Sequence, residues 1–260
     1  MSAGAAWDMF DMVTVQDWTG YRTRQGALCA ELARVGLLGR ARWFWQTASP
    51  FCLRLGNALR YDVRGPRFGG FDCTMGHYRI LRTALAEGAE TLLVVEDDVC
   101  FCSDTGLAAA ALRTLPAGWD FIKLDWWLRG CDEAAQAAFR GAARAGGGAW
   151  IPLDRRSLPA KGAVACGAGA IGYSRRGMQW KAGLLERAAS EDGLDGAARY
   201  IAGNIDGYDR PELAGEVNAY CAAPCLAVQR AHGRGDPCIN AARKNYAPWQ
   251  LVGGSTENYG

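Results

Sequence analysis

A short apolar run followed directly by three acids is the feature that most constrains how this chain folds. Residues 92–95 (Leu-Leu-Val-Val) are followed by Glu96, Asp97 and Asp98. A continuous apolar run of this length is typical of a central parallel strand that is buried on both faces. In open α/β sheets, ligands bind at the carboxyl ends of such strands. The pattern therefore predicts an α/β fold, with a mostly parallel central sheet flanked by helices and a ligand site at the three acids.

The three adjacent carboxylates indicate a divalent cation. Like charges this close disfavour one another's ionised form, so a bare cluster is costly. A bound Mn²⁺ or Mg²⁺ relieves the repulsion, because hard cations bind carboxylate oxygens and commonly share them with the phosphates of a nucleotide. We therefore expect Asp98 and Asp97 to hold the metal, and Glu96 and Asp97 to lie beside the nucleotide. The alternative is a solvated acidic turn that binds no metal.

The length, composition and charge of the chain exclude some classes of protein. The 260 residues are half apolar and carry a formal net charge of +2, which excludes a disordered chain. No long basic block occurs, so nucleic acid is not an expected partner. We expect one domain over residues 1–260, and oligomeric state is not readable from the sequence.

The sequence shows neither a membrane span nor a secretion signal. Its longest apolar run, residues 92–95, is far below the roughly 20 residues that cross a bilayer. The segment before Trp7 lacks the basic start and apolar core of a signal peptide. These observations predict a cytoplasmic protein, although ten cysteines are many for that compartment.

The cysteines are scattered along the chain instead of forming close pairs. A structural zinc site usually takes four ligands from two such pairs. Cys221 and Cys225 form one loose pair, and Cys100 and Cys102 are too close together for the usual knuckle. The chain has two histidines. We therefore expect most of the cysteines to be small buried hydrophobic residues rather than zinc ligands.

Hydrophobic periodicity and turn residues divide the chain into alternating strands and helices. Its opening strand, helix and strand are typical of a nucleotide-binding α/β layer. Strands are predicted within residues 9–16, 41–46, 92–95, 119–124 and 217–228. Helices are predicted at 25–35, 74–88, 107–115 and 174–187, with a loop at 50–70.

Several motifs occur in the same order as in one enzyme family. Residues 92–99 carry a Glu-Asp-Asp element, and Cys73 and His77 stand at the opening of the helix that precedes it. The small residues and Ser-Arg-Arg-Gly of 168–177 come later in the chain, before Pro224 to Gln229. These elements resemble glycosyltransferase family 25, the lipooligosaccharide and collagen galactosyltransferase family, from about residue 10 to residue 230.

The resemblance implies a GT-A fold, a UDP-sugar donor, a metal such as Mn²⁺, and inversion at the anomeric carbon. It suggests galactose as the sugar, and a glycan or another hydroxyl-bearing molecule as the acceptor. Residues 1–125 would then bind the nucleotide sugar and residues 126–250 the acceptor. The chain departs from the family pattern at Gly76, where the family has Ser, and at Asp72, where the family has Gly.

Inversion requires a general base that removes the proton of the acceptor hydroxyl as it attacks. Asp206 lies where the family carries an acid before its last strand, and Asp125 is the second candidate. Asp195 and Asp209 are further rivals. The alternative interpretation of Asp206 is an aspartate that caps a helix or turn.

The end of the first strand and the start of the first helix supply candidate nucleotide-binding residues. Arginine suits phosphate, so Arg22 and Arg24 are expected to contact the nucleotide. The strand would contribute Thr14, Val15 and Gln16. Exposed arginines at a helix start are the alternative.

The histidines and two tryptophans also allow two interpretations each. His77 is expected near a donor phosphate, or is hydrogen-bonded inside the fold. His232 is expected to complete the metal sphere, or lies in a polar loop. Trp126 and Trp127 are candidates for stacking on the acceptor sugar, or belong to the core. Lys123 is predicted to be a surface residue at a strand end.

Two other functions remain open on the sequence. A nucleotide-sugar hydrolase would use the same metal with water as the acceptor. A transferase-like module without catalysis would bind a glycan or nucleotide only, and the departures from the family pattern at Gly76 and Asp72 keep this alternative open.

Overall fold

The computed structural model describes residues 7–18, 22–46, 66–129, 133–145, 149–153, 164–204, 216–229, 246 and 250–259. The first half of this part contains β1 (Met12–Trp18), α1 (Arg22–Arg34), β2 (Ala41–Gln46), α2 (Pro66–Ala86), β3 (Thr91–Glu96), β4 (Val99–Phe101), α3 (Thr105–Arg113) and β5 (Phe121–Lys123). The second half contains β6 (Trp127–Arg129), α4 (Glu133–Ala145), β7 (Trp150–Pro152), β8 (Val164–Cys166), β9 (Ala170–Ser174), α5 (Arg175–Asn204), β10 (Ala219–Ala222) and β11 (Ala227–Gln229).

A seven-stranded sheet in the order β2-β1-β3-β9-β5-β10-β7 forms the centre of the fold. The pairings β1–β2, β1–β3 and β5–β10 are parallel, whereas β9 is antiparallel to β3 and β5, and β7 is antiparallel to β10. Five of the seven strands therefore run in one direction. The predicted α/β fold with a mostly parallel sheet is confirmed.

The two faces of the sheet are covered by different helices. Strand β3 shows the reason, because successive side chains of a strand point to opposite faces. Leu92 and Val94 share one core cluster with Ile80 of α2. Leu93 and Val95 share the other cluster with Leu28 and Leu32 of α1. We call these the α2 face and the α1 face of the sheet.

Most predicted elements occur, but several bounds and short strands differ. Helix α2 begins at Pro66, so the loop prediction over residues 50–70 is wrong from Pro66 onward, and its residues 50–65 lie outside the described part. Proline is tolerated at a first helical turn. Glycine is typical of loops, and the glycines that follow Pro66 are the reason that composition alone predicts a loop here. Strands β4, β6 and β7 have three residues each, which is too short for a periodic signal.

Lys123, the last residue of β5, and Trp126, three residues after it, are both buried. Lys123 is fully buried, and its Nζ donates a hydrogen bond to the Ala165 carbonyl at 2.5 Å. The prediction of a surface lysine is wrong, because β5 lies between β9 and β10 instead of at an edge. Trp126 is also fully buried, and its indole N–H donates to the Ala222 carbonyl at 2.6 Å.

None of the helices in the described ranges combines the length and the apolar character that a bilayer crossing requires.

Candidate active site at the carboxyl edge of the sheet

The strand pairing brings the three acids beside the end of β1. Strands β1 and β3 are parallel, and Gln16 is opposite Glu96 in their register. Glu96 also closes the sheet on its other side, where its N–H donates to the Gly169 carbonyl at 2.8 Å. Asp97 and Asp98 then form the turn into β4. The three acids therefore lie at the carboxyl edge of the sheet.

The alternation of the strands sends neighbouring polar residues to opposite faces. Glu96 follows Leu92 and Val94 on the α2 face, while Asp97 follows the side chains on the α1 face. The same alternation separates Gln16 from Asp17 in β1. The three consecutive acids consequently do not form one bare cluster, because each carboxylate has a different set of neighbours.

On the α1 face, the two carboxylates contact a guanidinium and an amide. The Arg24 Nη1 lies 2.9 Å from Asp97 Oδ1, with the two side chains 3% and 7% exposed. Asp17 is fully buried, and its Oδ2 accepts a hydrogen bond from the Gln25 amide at 2.7 Å. Burial raises the pKa of Asp17, while the bond from Gln25 and the charge of Arg24 act in the opposite direction. The α1 face thus ends in a largely buried network in which Arg24 balances Asp97, while Asp17 Oδ1 has no hydrogen-bond partner among the described residues.

On the α2 face, Glu96 meets a thiol and an imidazole. The Cys73 thiol donates to Glu96 Oε1 at 3.0 Å. His77 Nε2 lies 3.9 Å from the same oxygen. His77 is only 2% exposed, and neither ring nitrogen has a hydrogen-bond partner within the described residues. Gln16 supports this face by donating to the Cys73 carbonyl at 3.2 Å.

The second oxygen of Glu96 and one oxygen of Asp98 converge on a single amide. Gln229 Nε2 donates to Glu96 Oε2 at 2.7 Å and to Asp98 Oδ1 at 3.2 Å. Strand β11 positions Gln229, because Gln229 is paired with Val99 of β4, directly after the acids. The amide oxygen of Gln229 is buried and has no hydrogen-bond partner in the part of the chain that is described. An electropositive N–H therefore lies between two carboxylates.

Asp125 lies on the far side of Gly169 from Glu96. It is fully buried, accepts from the Tyr246 hydroxyl at 2.5 Å, and accepts from the Gly169 N–H at 3.3 Å. Burial and the Asp125 charge raise the pKa of Tyr246 well above its ordinary value. A Cβ on Gly169 would lie 2.6 Å from Asp125 Oδ2 and 2.9 Å from Gln229 Cγ. Only glycine lets these side chains approach so closely.

Some of the predicted site residues lie together at the carboxyl edge. Others lie inside the sheet or outside the described residues. Gln16, Arg24, His77, Glu96, Asp97, Asp98 and Asp125 lie around the carboxyl edge. Thr14 and Val15 are buried inside β1, between β2 and β3. The side chain of Arg22 is outside the described part, and so are Asp206 and His232 entirely.

Sequence reasoning did not find the contacts of Cys73 and Tyr246. Cys73 belongs to the motif that resembles the family, and it also precedes His77 by four residues. That spacing places two side chains on the same face of a helix. Tyr246 has no local signal, because its contact with Asp125 joins residues far apart in the chain.

The comparisons with known proteins concern the fold. No protein-family model matches the chain, and no curated protein matches it either. A mannose-1-phosphate geranyltransferase structure from Thermus thermophilus aligns at TM-score 0.38 and 15% identity, over 81% of this chain and 73% of that one. A glycosyltransferase involved in glycosylation of the PBCV-1 major capsid aligns at TM-score 0.43 and 8% identity, over 89% and 99%.

Glucosyl-3-phosphoglycerate synthase from Mycobacterium tuberculosis, solved with Mn²⁺, UDP and glucosyl-3-phosphoglycerate, is a third similar structure. It aligns at TM-score 0.32 and 13% identity, over 75% of this chain and 70% of that chain. Similarity of this extent does not establish an activity for the chain.

Proposed function

We propose that the chain is a metal-dependent, inverting glycosyltransferase of the GT-A type, which transfers a hexose from a UDP-sugar to a hydroxyl of a glycan or another acceptor. The observation that carries the proposal is the convergence of Glu96 Oε2 and Asp98 Oδ1 on one amide nitrogen at the carboxyl end of β3. This is the sheet edge at which α/β proteins bind nucleotides. The resemblance of residues 92–99 to a galactosyltransferase motif suggests the sugar.

The residues at this position fit a hard divalent cation. Glu96 Oε2 and Asp98 Oδ1 are carboxylate oxygens, which Mn²⁺ and Mg²⁺ prefer. The Gln229 amide now presents an N–H to both, and which end of an amide faces a partner is interchangeable by rotation. Turned over, the amide would present Oε1, which has no hydrogen-bond partner in the described residues. Asp98 and Glu96 would then hold the metal with Gln229.

The remaining acid has a different role in this proposal. The charge of Asp97 is already balanced by Arg24 at 2.9 Å. Asp97 therefore holds Arg24 in place in this proposal, and remains a second candidate ligand of the metal. Arg22 and His232 remain candidates for the diphosphate and the metal sphere, respectively.

The reaction exchanges one bond at the anomeric carbon. The acceptor oxygen bonds to that carbon, the bond from the carbon to the diphosphate oxygen breaks, and the acceptor proton passes to a base. A bound metal supplies Lewis-acid stabilisation of the departing diphosphate. Asp206 is our first candidate for the base. Asp125 is the second, and its carboxylate would have to release Tyr246 and exchange its buried position for contact with the acceptor.

The test is calorimetric titration of UDP and of UDP-galactose into the protein with Mn²⁺, and then with EDTA. We expect micromolar UDP binding that EDTA abolishes, and loss of that binding in Asp98→Asn. Glu191→Gln, which changes an exposed acid on α5, is the matched control and should bind as wild type does. Equal UDP binding with Mn²⁺ and with EDTA, or in Asp98→Asn, would disprove the metal-bridged donor site.

Turnover separates the transferase from a hydrolase. Release of UDP from UDP-galactose that requires an added glycan acceptor supports transfer, and acceptor-independent release at the same rate supports hydrolysis. Donor binding without either reaction, across a broad acceptor screen, would contradict catalysis and leave a binding module.

A further inference from the structure

We propose that Cys73, His77 and Glu96 form a binding site for Zn²⁺, separate from the oxygen site at Asp98. The three side chains come from two elements that the fold brings together. Cys73 and His77 are four residues apart on α2 and so project from the same side of the helix. Glu96 ends β3. One ligand atom of each residue lies within 4.8 Å of the others.

The buried imidazole points to a missing ligand. His77 is 2% exposed, and both of its ring nitrogens are without a hydrogen-bond partner within the described residues. Burying a polar group without a partner is costly, and such groups are rare in folded proteins. Glu96 Oε1, at 3.9 Å from Nε2, is too far for a hydrogen bond. A cation between them would bond to both atoms.

The chemistry of the three donors selects the metal. A thiolate and an imidazole are ligands that suit zinc, whereas Mg²⁺ and Mn²⁺ favour oxygen ligands. Three protein ligands are also the number found in zinc sites that keep a fourth position for water or substrate. Cysteine must lose its proton to bind, so the thiol that now donates to Glu96 would release that proton when the metal enters.

Glu96 keeps the two metal sites distinct by using one oxygen for each. Its Oε1 faces Cys73 and His77, while its Oε2 faces the amide of Gln229. Zinc on the first oxygen would join α2 to β3 and hold the carboxylate with its second oxygen directed towards Asp98. Zinc would therefore order the donor site without itself being the donor metal.

The direct test is a titration of the metal-free protein with Co²⁺, a spectroscopic substitute for Zn²⁺ that shows a thiolate charge-transfer absorption. We expect one Co²⁺ per chain with this absorption, and its loss when Zn²⁺ displaces Co²⁺. Cys73→Ser should abolish the absorption, and His77→Gln should weaken Co²⁺ binding by about tenfold or more. Cys29→Ser, which changes another partly buried free cysteine, should behave as wild type.

The outcomes are distinguishable from those of the donor site. Asp98→Asn should keep the thiolate absorption while it loses Mn²⁺-dependent UDP binding. Circular dichroism of each variant shows whether it is folded, and His77→Gln provides the second test if Cys73→Ser is not. Absence of the absorption in wild type, its persistence in folded Cys73→Ser, or Co²⁺ binding by folded His77→Gln that is as tight as in wild type would overturn the zinc site.

Discussion

The two faces of the central sheet end differently at the same edge. On the α1 face, the buried Asp97 is paired with the buried Arg24, and the buried Asp17 accepts a hydrogen bond from the half-buried Gln25. On the α2 face, Glu96 has a thiol at one oxygen and, at 3.9 Å, an imidazole without a hydrogen-bond partner in the described part of the chain. Both faces bury polar groups. On the α1 face the carboxylate of Asp97 is paired with Arg24 and one oxygen of Asp17, Oδ1, has no hydrogen-bond partner among the described residues, whereas on the α2 face both ring nitrogens of His77 lack one.

This difference indicates that the α1 face stabilises the fold, whereas the α2 face is expected to bind a ligand. A closed ion-pair network stabilises the free protein and gains little from a ligand. Buried polar groups without hydrogen-bond partners destabilise the free protein. A ligand that bonds to these groups removes this cost when it binds. We therefore expect the α1 face to be sensitive to the removal of a partner, and the α2 face to be sensitive to metal.

The largest effect should come from opening the α1 face. Arg24→Ala leaves the Asp97 carboxylate buried without its cation, which should lower the free energy of unfolding by about 3–5 kcal/mol. Urea denaturation measures the change. Arg42→Ala is the matched control, because its pair with Glu87 is 61% and 45% exposed and should contribute at most about 1 kcal/mol. Equal losses in the two variants would remove the distinction between a buried network and a surface pair.

On the α2 face, stability should depend on metal instead. Zn²⁺ at about 100 times its dissociation constant should raise the free energy of unfolding of the wild type by about 2.7 kcal/mol. His77→Leu should show no such gain. In EDTA, His77→Leu should unfold at a urea concentration equal to or above that of wild type, since the variant removes an unsatisfied buried group.

Two results would argue against this account of the α2 face. One is a large loss of stability of His77→Leu in EDTA, which would mean that the imidazole is satisfied in the metal-free protein. The other is equal stabilisation of the variant and the wild type by Zn²⁺.

A substitution at Gly169, which lies between Glu96 and Asp125, should have a smaller effect on stability than the changes above. Gly169→Ala places a Cβ 2.6 Å from Asp125 Oδ2 and 2.9 Å from Val99 Cγ2, and overpacking of this kind costs about 1–3 kcal/mol. Thermal denaturation measures the loss. Gly141→Ala, in α4 with no atom within 4 Å of its Cβ, should be neutral or stabilising by up to about 1 kcal/mol. Wild-type stability of Gly169→Ala would show that the close packing at Gly169 does not hold Glu96 and Asp125 in place.

The smallest effect should be a pH dependence on the α1 face. Burial raises the pKa of Asp17 above its ordinary value of 3.8, so the folded protein holds this proton to a higher pH than the unfolded chain does. Stability contributed by the protonated carboxyl is therefore present below about pH 3.8 and is lost as the pH rises through the folded pKa.

Asp17→Asn does not titrate and tests this sign. The free energy of unfolding of Asp17→Asn minus that of wild type should increase as the pH rises from below 3.8 towards neutrality. Urea denaturation at a series of pH values gives the difference. A difference that decreases over this range would mean that the Asp17 pKa is lowered, with Arg24 and Gln25 outweighing burial.

The central strand and its acids were predictable, while the partners of each acid were not. An apolar run followed by acids indicates a buried strand with polar residues at its end, whatever surrounds it. The spacing of the cysteines predicts no zinc site made of cysteine pairs, whereas the zinc site that we propose combines one cysteine, one histidine and a carboxylate from another element. Lys123 was misplaced for a related reason, because nothing local reveals that β5 is an interior strand.

The sequence by itself determined that residues 92–95 form a buried strand, that a carboxyl edge carries Glu96, Asp97 and Asp98, and that helices alternate with strands around it. These features follow from local hydrophobic pattern and strand length. Only the tertiary structure decided which carboxylate pairs with Arg24, which one meets Cys73 and His77, and which one shares Gln229. Those partners come from α1, α2 and β11, and sheet order and strand alternation, not spacing along the chain, bring them to the acids.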